Sequence, residues 1–408
     1  MLYDLSSIPQ INPSAIKDKR VLIRVDWNVP IRDGVVLDTT RITKVIPTLI
    51  FLKKYAKQII IICHQGRPEG KIDPKYSLNF LTAIVEKFMD TKIYFESDWH
   101  TKNPKDLENV GQFVLFENLR FYPGEEYNDL AFAKKLASFA DVYVNEGFAV
   151  SHRAHASTEA ITRLLPSYAG PLFYEELESL SHAILAPSKP VTAVVGGSKI
   201  STKLEILENL LHKVDCLILG GGIANTFLLA QGYSVGKSLV EQNYVLKAKE
   251  ILAQSSNLGC RIVLPLDVQV STSLDHHKDI RIIPVNEIQE DECIFDVGPA
   301  TVELFREIVE TSKTFIWNGP LGVFEVPPYN KGSLELAHLV GTYSRTGKLF
   351  SVVGGGETLA VVTLAGVQDD ISFLSTAGGA FLEFLEGKML PGVQALLSAG
   401  ATIKQGNQ

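Results

Sequence analysis

Basic residues in the first 170 positions recur in short motifs: RVDWNVP (24–30), Arg41, HQGRP (64–68), ENLRF (117–121) and SHRAHAS (151–157). A guanidinium grips phosphate or carboxylate through a planar two-pronged fork. Arginines gathered from these segments would therefore make a pocket for a small, multiply anionic substrate. Beyond residue 190 the chemistry changes. Glycine clusters at 196–197, 220–222, 354–356 and 378–379 each follow an apolar run and precede a helix-like segment. Glycine there lets backbone N–H groups close on a phosphate, and a helix N-terminus adds a favourable dipole. Lys199 and Lys203 stand four apart, on one helical face at a predicted helix start. Two cations there oppose the macrodipole, a cost that an anion between them removes. With Glu357 after the third cluster, the pattern points to nucleotide phosphates accompanied by a metal ion.

The charge distribution agrees. Residues 1–170 hold 22 Lys+Arg against 20 Asp+Glu, a net +2, and eight of the twelve arginines; residues 171–408 hold 17 against 26, a net −9. The total of −7 has the wrong sign for a general nucleic-acid binder. No apolar run is long enough to span a membrane, residues 1–20 lack the apolar stretch of a secretory signal, and Cys63, Cys216, Cys260 and Cys293 show no CxxC pairing. A reducing cytoplasm is the expected location. Other motifs carry little. GYSVGKS (232–238) is one residue short of a phosphate loop and follows a helix-like segment, and no GxGxxG occurs. The pairs His152/His155 and His276/His277 lack partners at metal-ligand spacing.

The elements that must hold these groups are legible as well. Continuous β-branched runs such as QIIIICH (58–64), QFVLFEN (112–118), VTAVVGG (191–197), RIVLPLD (261–267), CIFDVGP (293–299) and TFIWNGP (314–320) read as strands buried on both faces. They alternate with amphipathic stretches such as LTAIVEKFM (81–89), LEILENLLHKV (204–214) and VELFREIVE (302–310). The fold class is α/β. About twelve strands would strain one open sheet, so two doubly wound parallel-sheet lobes are expected. The segment 170–185, beginning at Pro171, reads as a helix joining them, on which they could hinge, and the polar tail 403–408 is expected to fray. Nearly every strand ends in glycine or a polar residue, and in such sheets ligands bind at the carboxyl ends of strands.

These segments, together with YSL (76–78), YVNEGF (143–148), GGSK (196–199), GGGIANTF (220–227), WNGPLGVFE (317–325), GGGET (354–358), STAGGA (375–380) and LEGKMLPGV (385–393), resemble the phosphoglycerate kinase family in order from about residue 20 to 395. The resemblance implies reversible, magnesium-dependent phosphoryl transfer between 1,3-bisphosphoglycerate and ADP, giving 3-phosphoglycerate and ATP. It implies a 3-phosphoglycerate domain at 1–170, a connecting helix at 171–186, a nucleotide domain at 187–391 and a tail, 392–408, packed back on the first domain. A cytoplasmic monomer without nucleic-acid or membrane partners is expected.

On this resemblance Asp26, Trp27 and Asn28 hold the glycerate end of the substrate, and His64, Gln65, Gly66, Arg67, Arg120 and Arg153 its 3-phosphate. Arg41 lies beside the transferred phosphoryl group. Gly197, Ser198, Lys199 and Lys203 meet the nucleotide phosphates. Gly220, Gly221, Gly222, Ile294, Asn318, Pro320, Val323 and Glu325 match the adenosine pocket, with Glu325 at the ribose. Gly355, Gly356, Glu357 and Thr358 match the phosphate turn, Glu357 being the Mg2+ ligand. Arg41, Lys203, Gly378 and Gly379 form the catalytic set. The chain departs from the usual pattern at Glu357 (commonly Asp), Ala377 (Gly), Cys63 and Gln65 (Ser and Leu), Glu146–Gly147 (Asp-Ala) and Ser198 (Ala), and none of these removes a charge the chemistry needs.

Overall fold

A computed structural model of the chain describes residues 4–32, 35–275 and 279–406; the pair His276–His277 lies outside them. The chain divides into two units, Met1–Glu178 with Met389–Gln408, and Ser179–Lys388.

The first unit is built on a six-stranded sheet in the spatial order Ile93–Glu96, Phe113–Phe116, Gln58–Ile62, Arg20–Arg24, Val142–Asn145, Ser167–Ala169. Every pairing is parallel, with Ile23 aligned to Ile61 on one side and Val144 on the other. Alternation sorts the side chains to the two faces. Val21, Ile23, Ile59, Ile61 and Leu115 enter one apolar cluster, and Leu22, Ile60, Ile62, Val114 and Tyr143 the other. Full burial of each such side chain stabilises by about 1.5–3 kcal/mol, so a continuous apolar run is what a sheet covered on both faces requires. Because the strands are parallel, the segments 25–30, 63–68, 117–120 and 146–153 all leave from one edge, their carboxyl ends.

The helix Pro171–Ile184 starts at its proline, whose missing N–H is no loss at that position. A further helix, Pro391–Gly406, packs beside Ser167–Ala169 and the turn Ala160–Arg163. Its backbone stays helical through Gly406, where fraying was expected from residue 403.

The second unit carries another all-parallel six-stranded sheet, ordered Arg261–Val263, Cys216–Leu219, Val191–Val195, Thr314–Asn318, Phe350–Gly354, Phe373–Ser375. Numbered along the chain this is the order 3-2-1-4-5-6, whose reversal lies between Val191–Val195 and Thr314–Asn318. Two expectations need correcting. The run 261–267 is not one strand: the parallel sheet ends at Val263, Pro265 has no N–H to pair, and Asp267 opens a second strand, Asp267–Ser271. That strand pairs antiparallel with Arg281–Pro284 and with Cys293–Val297, so the latter leaves the parallel sheet and is only partly buried.

Candidate active site

In the first unit the carboxyl ends of neighbouring strands are laced together by the polar residues singled out above. Arg41, on the short helix Thr40–Thr43, sets Nη1 2.6 Å from Oδ2 of Asp26 and donates to the Asn28 carbonyl at 3.3 Å. Asn28 Oδ1 accepts from the Gly66 amide at 3.0 Å, and the Gly66 carbonyl accepts from Arg120 Nη1 at 2.9 Å. Gly66 has φ +62, and a Cβ there would strike the Tyr76 ring. His64 is buried beside Asp26 and is held well below the ordinary histidine range, first by desolvation and then by Arg24, Arg120, His155 and Arg41. Burial and Arg24 likewise lower Arg120, an effect partly offset by Glu126, whose carboxylate lies 3.4 Å from Arg120 Nε. Such crowding disfavours each added positive charge until an anion joins them. Arg67 and Arg153 are exposed, Arg153 donating to His152 Nε2 at 3.2 Å.

Two expected ligands have other work for their side chains. The Trp27 indole lies fully within the apolar core, so only its backbone is left for a ligand. Gln65 clasps the backbone of Val29, donating from Nε2 at 2.9 Å and accepting the Val29 amide at 3.2 Å. That clasp gives a physical reason for an amide where the family usually has leucine. Cys63 is core packing, its thiol pushed up to about 12 by burial.

In the second unit a cavity of about 470 Å³ lies at the strand-order reversal. Gly197, Ser198, Gly221, Gly222 and Glu357 line it, as do Ile294, Pro320, Val323 and Glu325. Two loops meet here at backbone distance. The Gly196 amide donates to the Asn318 carbonyl at 2.9 Å, and a side chain on either Gly196 or Gly319 would collide with the facing loop. Thr358 is fully buried and accepts the Gly319 amide at 2.7 Å, so it shapes the turn from behind. Gly355, with φ +94, caps the helix Gly356–Ala365, which puts Glu357 in the first turn. Gly378, with φ +51, similarly precedes the helix Gly379–Leu385.

The lysines do not share a regular helical face. Lys199 is exposed and precedes the 3-10 turn Ile200–Thr202, whereas Lys203 sits between that turn and the helix Leu204–Leu211. Lys203 Nζ donates to the side-chain oxygen of Asn318, whose own Nδ2 donates to the Gly354 carbonyl at 2.8 Å. Desolvation lowers Lys203 to about 8, with Glu357 opposing the shift. Lowered this far, the amine still keeps its proton at neutral pH, and a phosphate arriving beside it would favour the charged form further.

Lys237 and Leu239 also line the cavity. They belong to GYSVGKS and its following residue, a segment that fails as a phosphate loop, and no spacing in the sequence announces them. Among the described residues no cluster of three or more His, Cys, Asp or Glu could hold a metal on its own. A single carboxylate at Glu357 fits an ion carried mainly by nucleotide phosphates. No described helix is long and apolar enough to cross a membrane.

The sequence matches the family model for phosphoglycerate kinase over residues 11–388. The phosphoglycerate kinase of Chelativorans sp. (strain BNC1) is 46% identical over 384 residues, 93% of this chain and 96% of that protein. That of Methylorubrum extorquens (strain PA1) is 45% identical over 402 residues, 98% and 100% of the two chains. Among solved structures, phosphoglycerate kinase from Coxiella burnetii aligns with a TM-score of 0.87 at 40% identity, covering 94% of this chain and 97% of that one. The enzyme from Pyrococcus horikoshii OT3 aligns at 0.81 and 29% identity, covering 97% and 100%.

Proposed function

The chain belongs to the phosphoglycerate kinase family, and from that premise we propose how its residues divide the reaction. The activity is reversible phosphoryl transfer between 1,3-bisphosphoglycerate and ADP, yielding 3-phosphoglycerate and ATP, a step of glycolysis. The first unit is the glycerate domain: Asp26 and Asn28, with the Trp27 backbone, take the hydroxyl and carboxyl end of the substrate. His64, Gly66, Arg67, Arg120 and Arg153 take its 3-phosphate, with Gln65 shaping the loop. The second unit is the nucleotide domain, its cavity taking adenosine and its glycine turns the phosphates. Glu357 would hold Mg2+, which supplies charge neutralisation between phosphate oxygens when bound.

The nucleophile is a carboxylate in one direction and an ADP phosphate oxygen in the other. Both are ionised at neutral pH, so no general base is needed. In-line transfer then depends on alignment and on charge opposite the equatorial oxygens. Arg41, Lys203 and the amides at Gly378–Gly379 supply that charge. Substrates on separate domains must be brought together, and the connecting segment 171–186, helical over Pro171–Ile184, is the hinge on which closure turns, expelling water. The protein works as a monomer in the cytoplasm.

The observation that carries these roles is the hydrogen-bonded chain Asp26–Arg41–Asn28–Gly66–Arg120, which draws four separate sequence motifs into one anion-binding edge. Purified protein with Mg-ATP and 3-phosphoglycerate, coupled to a dehydrogenase that consumes the acyl phosphate, is expected to oxidise the reporter cofactor. No signal above the enzyme-free rate would overturn the proposal.

A further inference from the structure

Arg24 ends Arg20–Arg24, one of the two central strands of the first sheet, and is completely buried. Each of its three nitrogens has a partner within the protein: Nη1 the Val25 carbonyl at 2.6 Å, Nε Ser157 Oγ at 2.9 Å, and Nη2 His64 Nδ1 at 3.1 Å. Ser157 is held in turn by Glu125, also fully buried, with Oγ donating to Oε1 at 2.6 Å and the amide to Oε2 at 3.0 Å. A buried guanidinium thus has a carboxyl group one hydroxyl away; burial pushes that carboxyl up, and Arg24 with the two Ser157 hydrogen bonds opposes the shift.

The consequence falls on His64. Arginine carries donors only, so the ring nitrogen that faces it must accept. The other group near Nδ1 is Asp26 Oδ1, at 3.9 Å, beyond hydrogen-bonding reach. Nδ1 is therefore bare and the proton sits on Nε2. We propose that Arg24, anchored by Ser157 and Glu125, is a positioning residue that fixes His64 as a neutral imidazole with Nε2–H as a directed donor to the substrate's phosphate. Arg24 itself, being fully buried, does not touch the ligand. The inference rests on the reading above that His64 faces the 3-phosphate.

The surroundings favour the neutral ring. Arg24 and Asp26 face His64 from the first strand and its loop, Arg41 from the helix Thr40–Thr43, Arg120 from the turn Leu119–Phe121 and His155 from the 151–157 loop. Only Asp26 among these favours an imidazolium, and it is already paired with Arg41. Desolvation lowers His155 to about 3, so it too is neutral at pH 7. The substrate then meets fixed charge from arginines and a geometric donor from histidine, and its affinity should not follow histidine titration through the neutral range.

The test begins with the unmodified full chain, labelled with 15N. Long-range imidazole correlations, assigned with His64→Gln, are expected to give a pyridine-type Nδ1 and a pyrrole-type Nε2 that stay unchanged from about pH 6 to 8. A proton on Nδ1, or an ordinary titration in that range, overturns the proposal. Adding 3-phosphoglycerate should move the Nε2–H signal; the expected tautomer with no such movement would remove the role at the substrate while leaving Arg24's hold on the ring. Ser157→Ala then loosens Arg24 without deleting a charge. It is expected to raise KM for 3-phosphoglycerate about tenfold, with kcat nearly unchanged and KM newly dependent on pH. A pH-independent rise would mark a merely structural role and overturn the positioning claim.

Discussion

Arg41 and Asp26 form an ion pair, Nη1 to Oδ2 at 2.6 Å, that ties the arginine proposed for the transferred phosphoryl group to the carboxylate proposed for the substrate's glycerate end. The pair is partly buried, and Arg41 also reaches the Asn28 carbonyl. On the proposed roles, one guanidinium would serve the substrate edge and the reacting end at once. Asp26 and the Asn28 carbonyl hold it in place without a ligand, and a catalytic role of the kind proposed would require such pre-organisation.

Arg41→Ala is expected to lower kcat about 100- to 1,000-fold while changing 3-phosphoglycerate affinity less than about tenfold, since most of its charge acts on the transition state. Steady-state kinetics with calorimetric titration of the substrate separate the two. Equal losses in both quantities would contradict the assignment.

Lys203, lowered to about 8 by burial, should give kcat/KM for Mg-ATP a decline as pH rises above that value, because only the protonated amine serves the phosphates. Lys203→Arg should remove the decline. For stability the sign is opposite: between about 8 and the unfolded lysine value near 10.4 the unfolded chain binds more protons, so stability rises with pH. Lys203→Met should therefore be inactive yet raise Tm at pH 7, a shift of about 2–4 °C per kcal/mol in a domain this size. An unchanged or lowered Tm would count against a strained, desolvated ammonium.

Glu357→Gln is expected to weaken Mg-ADP binding about 10- to 100-fold and leave metal-free ADP binding intact. Titrating ADP with and without magnesium, or after chelation, measures both. If the two affinities fell together, Glu357 would be shaping the turn and not holding the metal.

Glu146 accepts a hydrogen bond from Thr48 and another from the Phe173 amide, and burial lifts its carboxyl to about 7. Between the unfolded value near 4.5 and that value the folded chain binds the extra proton, so this residue's contribution makes stability fall as pH rises. Glu146→Gln should be the more stable chain at pH 8, by on the order of 2–3 kcal/mol, and nearly equal to the parent at pH 4.5. Urea midpoints at the two pH values decide it; a constant difference would exclude the titration.

Much of this was readable in advance, and the failures have local causes. QIIII and VTAVV are continuous apolar strands because both faces of each sheet are covered, and periodicity registers that directly. CIFDV looks the same in composition, yet it pairs antiparallel in a small separate sheet, a choice made by its neighbours and not by its own residues. Lys199 and Lys203 suggest a helical face by spacing, but the chain turns tightly between them, leaving one exposed and the other under Asn318.

The amino-acid sequence by itself determined the α/β class, the two chemistries and the residue types that could perform them, because apolar period and glycine placement are local properties of the chain. Tertiary structure alone decided which polar groups face a ligand and which hold the framework. Trp27 and Gln65 stand in the same motifs as Asp26 and His64, and one enters the core while the other clasps Val29. Arg24 and Glu125, 101 positions apart, are bridged by Ser157. Burial, charge state and tautomer depend on what surrounds an atom in three dimensions, and folding supplies those surroundings from residues distant along the chain.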